Sequence, residues 1–138
     1  MRLISLAPQF EVTEADFIVQ FNQDIELKKN SKVGLLNLSV SLDNSVSDVL
    51  RVELVNVPIE SMNGKTGRVE NILQVLPSLD TQPPNLVYQN QTPVMLDLNN
   101  SEPMLLSNIH VRVLKSNGDN LAVDRTKTQP ITLTILID

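Results

Sequence analysis

His110 is the only histidine of the 138-residue chain, so any catalytic triad or histidine-containing metal site would have to include it. It stands in the run I-H-V-R-V-L, in which apolar residues alternate with His110 and Arg112. In a β-strand this alternation places the histidine on the face opposite the apolar residues. Acid–base catalysis would also need a carboxylate or hydroxyl within hydrogen-bond reach, which no spacing in the sequence indicates. We therefore interpret His110 as a solvent-facing or interface residue.

The tripeptide Gly64-Lys65-Thr66 matches the end of a phosphate-binding loop. The full motif is G-x-x-x-x-G-K-[ST], because its backbone amides cradle the phosphates and its lysine reaches them. The first glycine would fall at the position of Ile59, and no alternation of strands and helices surrounds the segment. A turn between strands accounts for these residues better than a nucleotide site does. We predict no bound cofactor.

The sequence gives little support for a metal site, a cysteine-based site or a sugar-binding site. Asn117, Asp119 and Asp124 could offer oxygen ligands to a weakly held calcium ion, but the D-x-[DN]-x-[DN]-G spacing of a calcium loop is missing. Cysteine is absent, which excludes disulfides, zinc–thiolate sites and cysteine nucleophiles. Sugar-binding sandwiches usually offer aromatic platforms, and this chain has one tyrosine, Tyr88, and no tryptophan. We predict no metal site and no catalytic residues, and hence no enzyme.

The net charge and hydropathy of the chain limit the kinds of partner that we expect. The formal net charge is −5 and the pI is about 4.8, so the chain repels phosphate backbones and nucleic acid is not an expected partner. We interpret its basic cluster, Lys28, Lys29 and Lys32, as a solvated turn. Residues 1–8 carry too short an apolar run for a signal peptide, which predicts synthesis in a cytoplasm. No run approaches the roughly 18 apolar residues of a membrane span.

Strands with one buried face organise the chain. The C-terminal run I-T-L-T-I-L-I, residues 131–137, alternates at period two and needs a partner elsewhere in the sequence. Residues 17–27 predict a second long strand, bent near Asn22 and Gln23, and we expect it to pair beside residues 131–137. The clearest alternation, over residues 33–42, turns one set of residues inward: Leu36, Leu38, Val40 and Leu42.

Several connections have local signals. The alternation from Leu50 to Leu54 then shifts phase, which predicts a β-bulge near Leu54. The pair Asn117-Gly118 predicts a tight turn, because both residues tolerate positive φ, with a return strand over residues 121–123. Residues 69–76 fit either a short strand or one helical turn. Residues 77–85, which contain three prolines, predict a loop.

These patterns predict an all-β fold. About eight strands can be counted, and no stretch keeps an apolar period of 3.6 over three turns. Long, proline-rich connections favour an antiparallel sandwich wired as a single jelly roll, with an immunoglobulin-like sandwich as the alternative. Residues 16–138 are predicted to form one β-sandwich domain. Residues 1–15 are either an N-terminal arm or a first short strand.

Five apolar residues fall on the faces that the alternation assigns to solvent. Scattered exposure of this kind is ordinary for a folded protein. If the five cluster, they mark a subunit interface. We select them as a candidate oligomer interface: Ile18, Leu35, Val55, Leu114 and Leu136.

Two stretches carry a family resemblance. The run F-N-Q-D-I-E-L-K-K-N-S-K-V-G-L-L-N-L-S-V, residues 21–40, resembles the opening hairpin of small capsid proteins from virophages, Polinton-like viruses and related eukaryotic DNA viruses. The run N-I-H-V-R-V-L-K-S-N-G-D-N-L, residues 108–121, followed by a polar gap and the closing strand 131–137, is similar to the later part of these proteins. Together the stretches cover about half of the chain, and their motifs are structural.

The resemblance implies a structural virion protein made in the host-cell cytoplasm. It would be a penton or minor capsid component with a single jelly roll, without catalytic residues or cofactor. Its partners would be copies of itself, as a pentamer or trimer, and a neighbouring major capsid protein. The chain lacks an obvious inserted outer domain, which leaves a cement or spike-base role open. The alternative is a β-sandwich binding module that recognises a carbohydrate or protein ligand through loops at residues 61–68 and 77–85.

Overall fold

The computed structural model describes residues 1–44, 46–59, 61–62, 69–81 and 85–138. Within these residues the backbone forms strands and no helix, so none of them belongs to a helix that could cross a membrane. The strands, in chain order, are β1 (Arg2–Leu6), β2 (Asp16–Leu27), β3 (Lys32–Ser41), β4 (Val46–Leu54), β5 (Ser61–Met62), β6 (Val69–Glu70), β7 (Ile72–Thr81), β8 (Asn85–Gln89), β9 (Leu96–Asp97), β10 (Met104–Leu114) and β11 (Ile131–Ile137).

The longer strands build two antiparallel sheets. Sheet one has the order β1-β11-β3-β8, with β9 also paired to β3, and sheet two has the order β2-β10-β4-β7. The short strands β5 and β6 pair with each other. Without these and β9, the strands of sheet one are numbers 1-8-3-6 along the chain, and those of sheet two are 2-7-4-5. This is the wiring of two Greek keys in a jelly roll, so the predicted all-β sandwich with jelly-roll topology is confirmed.

The C-terminal strand β11 lies between β1 and β3. Ile135 lies opposite Ile4 of β1, and Leu133 lies opposite Leu38 of β3. The expected pairing of this strand with residues 17–27 is wrong, because β2 belongs to sheet two and pairs with β10. Period two identifies the buried face of a strand but not the strand beside it. The partner is β1, within the residues that the sequence left as an arm or a first short strand.

The core lies between the two sheets and is built from the inward-facing residue of each alternating pair. Both sheets contribute to one continuous apolar cluster, as a two-layer sandwich requires. The inward faces predicted for two central strands of sheet two are confirmed, with all members buried: Leu50, Val52, Leu54, Ile109, Val111 and Val113.

A β-bulge in β3 changes which of its residues face the core. Between adjacent pairs, β11 advances one residue, from Thr134 to Ile135, while β3 moves two, from Asn37 to Leu35. Leu36 is therefore the extra residue, and the inward prediction is wrong for it because an inserted residue reverses the phase. Leu36 is half-buried and Leu35 is fully buried. The other inward predictions are confirmed, at Leu38 and Val40 in this strand and at Leu42 directly after it.

The long strand β2 is irregular where a bend was predicted. Ile25 lies opposite Leu106 of β10, and Gln20 lies opposite Asn108, so β2 uses five steps where β10 uses two. The prediction of one long strand is confirmed, and a register shift lies where the bend was predicted, near Asn22 and Gln23. The insertion leaves the first half of β2 in regular register with the second half of β10, where the candidate site lies.

Edge position explains the proline in β7. Residues 69–76 mostly form strands, and the predicted loop over residues 77–85 is wrong for 77–81, which continue β7, and for 85, which begins β8. Residues 82–84 lie outside the described part of the chain. Pro77 is tolerated because β7 is an outer strand of sheet two, where a missing N–H need not break the ladder on its free side.

Two predicted connections differ from the structure. The phase shift after Leu54 is a turn, because β4 ends there and the Val57 N–H donates to the Leu54 carbonyl over 3.3 Å. The pairing of β4 with β7 does shift near Leu54, as predicted, but the extra residue is in β7: Val52 lies opposite Gln74 and Glu53 lies opposite Ile72, which leaves Leu73 between them. The return strand over residues 121–123 is wrong, since Ala122 and Val123 form only isolated bridges.

The turn at Asn117-Gly118 is confirmed. The Gly118 N–H donates to the Lys115 carbonyl over 3.0 Å, and Gly118 has a φ of 90°. Glycine carries this positive φ because it has no Cβ to clash with the backbone.

Candidate functional site

Charged and polar residues collect on the outer face of sheet two, where β2, β10 and β4 lie side by side. The alternation that buries Ile109 and Val111 turns His110 and Arg112 outward. Across the sheet, His110 lies opposite Ile18, and Arg112 lies opposite Asp16 on one side and Glu53 on the other. Long-range strand pairing therefore brings together groups that are far apart in sequence.

Two contacts connect these groups. The imidazole Nε2 of His110 lies 2.5 Å from a carboxylate oxygen of Asp16, and the guanidinium of Arg112 lies 3.3 Å from the carboxylate of Glu53. The Glu53 side chain is only 7% exposed, so its charge needs the arginine to offset the loss of water. The histidine thus has the carboxylate partner that sequence spacing could not place. That the chain is not an enzyme stays an expectation.

Beside the His110–Asp16 pair lies a groove of about 530 Å³, which we call the acidic groove. Its apolar wall includes Phe10, Val12 and Ile18, and its polar wall includes Asp16 and His110. Phe10 is 83% exposed and Ile18 is 46% exposed. Large apolar side chains left this open on a small domain form the kind of patch that contacts a partner.

Residues 8–12 form one wall of this groove, and we call them the ridge. The Gln9 side-chain amide donates to the Gln20 carbonyl over 2.9 Å, while its oxygen accepts the Gln20 N–H over 3.0 Å. Downstream, the Ala15 N–H donates to the Leu121 carbonyl over 2.8 Å. Both flanks of the ridge are therefore attached to the sandwich, so Phe10 is held in its exposed position.

A second groove, of about 450 Å³, shares the ridge as its wall, and we call it the basic groove. Arg125 and Lys127 line its far side, in the connection from β10 to β11, and Glu11 of the ridge also contributes. The ridge thus separates a groove containing a carboxylate from one containing two cations.

The five residues selected as a candidate interface do not share one exposed face. Ile18 lies in the acidic groove, and Val55 is half-buried in the turn after β4. The expected exposure is wrong for the other three, which are buried within the chain: Leu35, Leu114 and Leu136. The β-bulge at Leu36 accounts for the first of them. The interface itself stays a prediction.

The outer face near Leu136 is covered by another part of the chain. Leu136 lies opposite Gly34, and a Cβ built on Gly34 would come within 2.7 Å of the Met95 sulfur and 2.8 Å of the Val94 carbonyl oxygen. The segment after β8 therefore crosses sheet one at this point, which requires glycine at position 34.

The polar loops form internal hydrogen bonds. Asn117 donates to Asp119 over 3.0 Å, and Thr126 donates to Asp124 through its hydroxyl over 2.6 Å and its N–H over 3.0 Å. The Thr126 hydroxyl is the main cause that lowers the pKa of Asp124 from its ordinary value. A hydrogen bond from Ser116 is likewise the main cause that lowers the pKa of Asp48. Among the described residues, no three His, Asp or Glu side chains are grouped to hold a metal ion.

Lys28 and Lys29 of the basic cluster lie in an exposed turn, as predicted, and Lys32 is the exposed first residue of β3. The Asn100 side chain fixes it: its amide donates to the Lys28 carbonyl over 2.7 Å and its oxygen accepts the Ser31 N–H over 3.1 Å. The strands on either side, β2 and β3, belong to different sheets, so this segment is not a hairpin. Residues 64–66 and most of the predicted binding loop at 61–68 lie outside the described residues.

A polar cluster that the sequence did not indicate joins the two sheets, and we call it the clasp. Gln74 of β7 donates to the Tyr88 hydroxyl of β8 over 2.6 Å, and that hydroxyl donates to Asn90 over 2.9 Å. Asn90 donates back to Gln74 over 2.8 Å and also to the Leu35 carbonyl over 2.9 Å, beside the bulge in β3. The hydroxyl of the chain's single tyrosine is therefore hydrogen-bonded within the fold, to Gln74 and Asn90.

Comparison with known proteins gives limited likeness. No protein-family model matches the chain. No curated protein matches its sequence significantly. Among solved structures, a chain of infectious bursal disease virus, Gt strain, aligns at 12% identity with a TM-score of 0.41, covering 97% of this chain and 32% of that one. A chain of the Gx strain aligns at 8% identity with a TM-score of 0.32, covering 99% of this chain and 36% of that one.

This chain therefore spans about a third of the length of the viral chains that it matches. At such low TM-scores and identities, the two likenesses establish nothing about its function.

Proposed function

We propose that this chain is a structural protein of a virion, a penton or other minor capsid component that self-assembles through its jelly roll. The observation that carries the proposal is the strand order, β1-β11-β3-β8 over β2-β10-β4-β7. Jelly rolls of this wiring recur in viral capsids, and also in lectin and cupin domains. Fold alone does not choose among these uses, so the choice rests on the residues.

The sequence resemblance of residues 21–40 and 108–121 to small virus capsid proteins supports the first use. In the structure, residues 21–40 correspond to the second half of β2, the turn after it and most of β3, and residues 108–121 correspond to the second half of β10 and the turn that follows it. They supply inner strands of both sheets. The resemblance therefore covers parts of the framework of the sandwich and two of its turns.

Composition weighs against the other two uses. A lectin-type site favours aromatic platforms for sugar rings, and the chain has one tyrosine and no tryptophan. That tyrosine, Tyr88, is half-buried in the clasp. Histidine is a preferred metal ligand in enzymes, and the single histidine is bonded to Asp16. A structural role requires neither kind of site.

The proposal is tested by the native mass of the purified chain, measured by light scattering coupled to size exclusion over a range of concentration and ionic strength. A mass of three or five times 15.4 kDa, or a multiple of these, is expected. Five copies favour a vertex protein, and three favour a facet, spike or cement protein. A mass of one or two chains under every condition would contradict self-assembly as a ring.

A further inference from the structure

We propose that the ridge at residues 8–12 is a contact between two copies of this chain, related by a two-fold axis that runs along the ridge. The contact is distinct from the ring-forming contacts of the proposed function and does not depend on a virion role. The ridge has an unusually exposed apolar residue, Phe10. Its side chain is 83% exposed, the largest value among the large apolar side chains of the described residues.

The ridge is held before any partner arrives. Gln9 occupies both backbone groups of Gln20 on the free edge of β2, and the Thr13 carbonyl accepts the Val123 N–H over 3.0 Å. Between these anchors Phe10 points away from the core. An aromatic side chain fixed in an exposed position loses little conformational freedom on binding, which is what an interface anchor requires.

The charges of the two grooves beside the ridge indicate which partner fits. With histidine counted as neutral, the acidic groove has one negative charge, at Asp16 beside His110, and the basic groove has the opposite net sign, with Arg125 and Lys127 against Glu11. One apolar ridge therefore carries opposite charge on its two sides. An unrelated partner would need a positive charge opposite the acidic groove and a negative charge opposite the basic groove.

A second copy supplies them by symmetry. A two-fold axis along the ridge exchanges its two sides, so the acidic groove of each copy faces the basic groove of the other. The Phe10 rings meet near the axis, and the long side chains of Arg125 and Lys127 reach the carboxylate of Asp16 in the second copy. Asp16 can accept these bonds while it keeps His110, because a carboxylate has about four lone-pair sites.

The absence of cysteine from the chain allows a direct geometric test. Under mild oxidation at low protein concentration, Phe10→Cys should link most chains in pairs, because residue 10 of each copy lies beside the axis and faces residue 10 of the other. Val87→Cys, at a site that is 59% exposed on the opposite edge strand β8, is the matched control and should stay unlinked. Failure of Phe10→Cys to link, or equal linking of both variants, would overturn the proposal.

Charge reversal tests the partner. Asp16→Arg alone, and Arg125→Glu with Lys127→Glu, should each weaken pairing about tenfold or more, measured from the concentration dependence of the mass. Combining them should restore most of the affinity, which a broken Asp16–His110 bond cannot explain. No recovery would show that the grooves do not face each other.

The two proposals fail separately. If the wild-type chain forms only dimers and Phe10→Ser makes it monomeric, the ridge contact is supported and the ring is contradicted. If Phe10→Ser leaves a pentamer or trimer and every higher multiple unchanged, the ring is supported and the ridge contact is overturned.

Discussion

The clasp between the sheets gives the sharpest stability prediction. Tyr88→Phe removes one hydroxyl group and leaves the ring to pack as before. That hydroxyl accepts a hydrogen bond from Gln74 over 2.6 Å and donates one to Asn90 over 2.9 Å. The variant therefore deletes the Gln74–Tyr88 bond between β7 of sheet two and β8 of sheet one, while the bond from Asn90 to Gln74 remains.

The expected loss follows from these two bonds. Each contributes about 0.5–1.5 kcal/mol, so their loss should lower the free energy of unfolding by about 2 kcal/mol. The partners are partly buried, and an unmade bond there leaves Gln74 and Asn90 without full replacement by water. For a chain of this size, that corresponds to a fall in Tm of about 6–10 °C.

Urea unfolding followed by circular dichroism measures the change, and a double-mutant cycle with Gln74→Met isolates the pair. The coupling free energy between positions 74 and 88 should be at least about 0.5 kcal/mol, because the two side chains share a bond. If Tyr88→Phe changes the free energy of unfolding by less than about 0.5 kcal/mol, or if the two changes are additive, the Gln74–Tyr88 bond does not stabilise the contact between the sheets.

Three further predictions concern the core, a turn and a titrating group. Leu38→Ala should lower the free energy of unfolding by about 2–5 kcal/mol, and Ser39→Ala on the opposite face by under about 0.5 kcal/mol; equal losses in urea unfolding would show that the inward face is misassigned. Asn100→Ala should lower it by about 1–3 kcal/mol and speed hydrogen exchange in the turn that joins β2 to β3, because two bonds of its side chain hold that turn; unchanged exchange would contradict this. The pKa of Asp124 should lie below 3.8 in an NMR titration and move back toward it in Thr126→Val; since the folded form has the lowered pKa, its stabilisation is present above pH 3.8 and lost as the pH falls through the folded pKa.

Local alternation carried most of what the sequence could predict about the fold. The buried faces of β4 and β10 followed from period two, because apolar residues such as Val52 and Val111 leave only one face for the core. The number of strands and the long connections between them then favoured a jelly roll. Register and neighbours did not follow, since the bulge at Leu36 and the pairing of β11 with β1 depend on contacts across the whole chain.

The candidate site was less accessible to sequence reasoning. Ile18 was selected as an outward apolar residue and does lie in a groove, but its neighbour Phe10 stands in an irregular segment with no periodicity to mark it. The contact of His110 with Asp16 spans 94 residues, so no local motif indicates it. Leu35 illustrates the converse error, in which a residue counted as outward is buried by a single inserted neighbour.

Self-assembly into a ring is the central claim, and the native mass of the wild-type chain tests it most directly. Light scattering coupled to size exclusion should give three or five chains of 15.4 kDa, or a multiple of these. A mass of one or two chains at every concentration and ionic strength would contradict the claim.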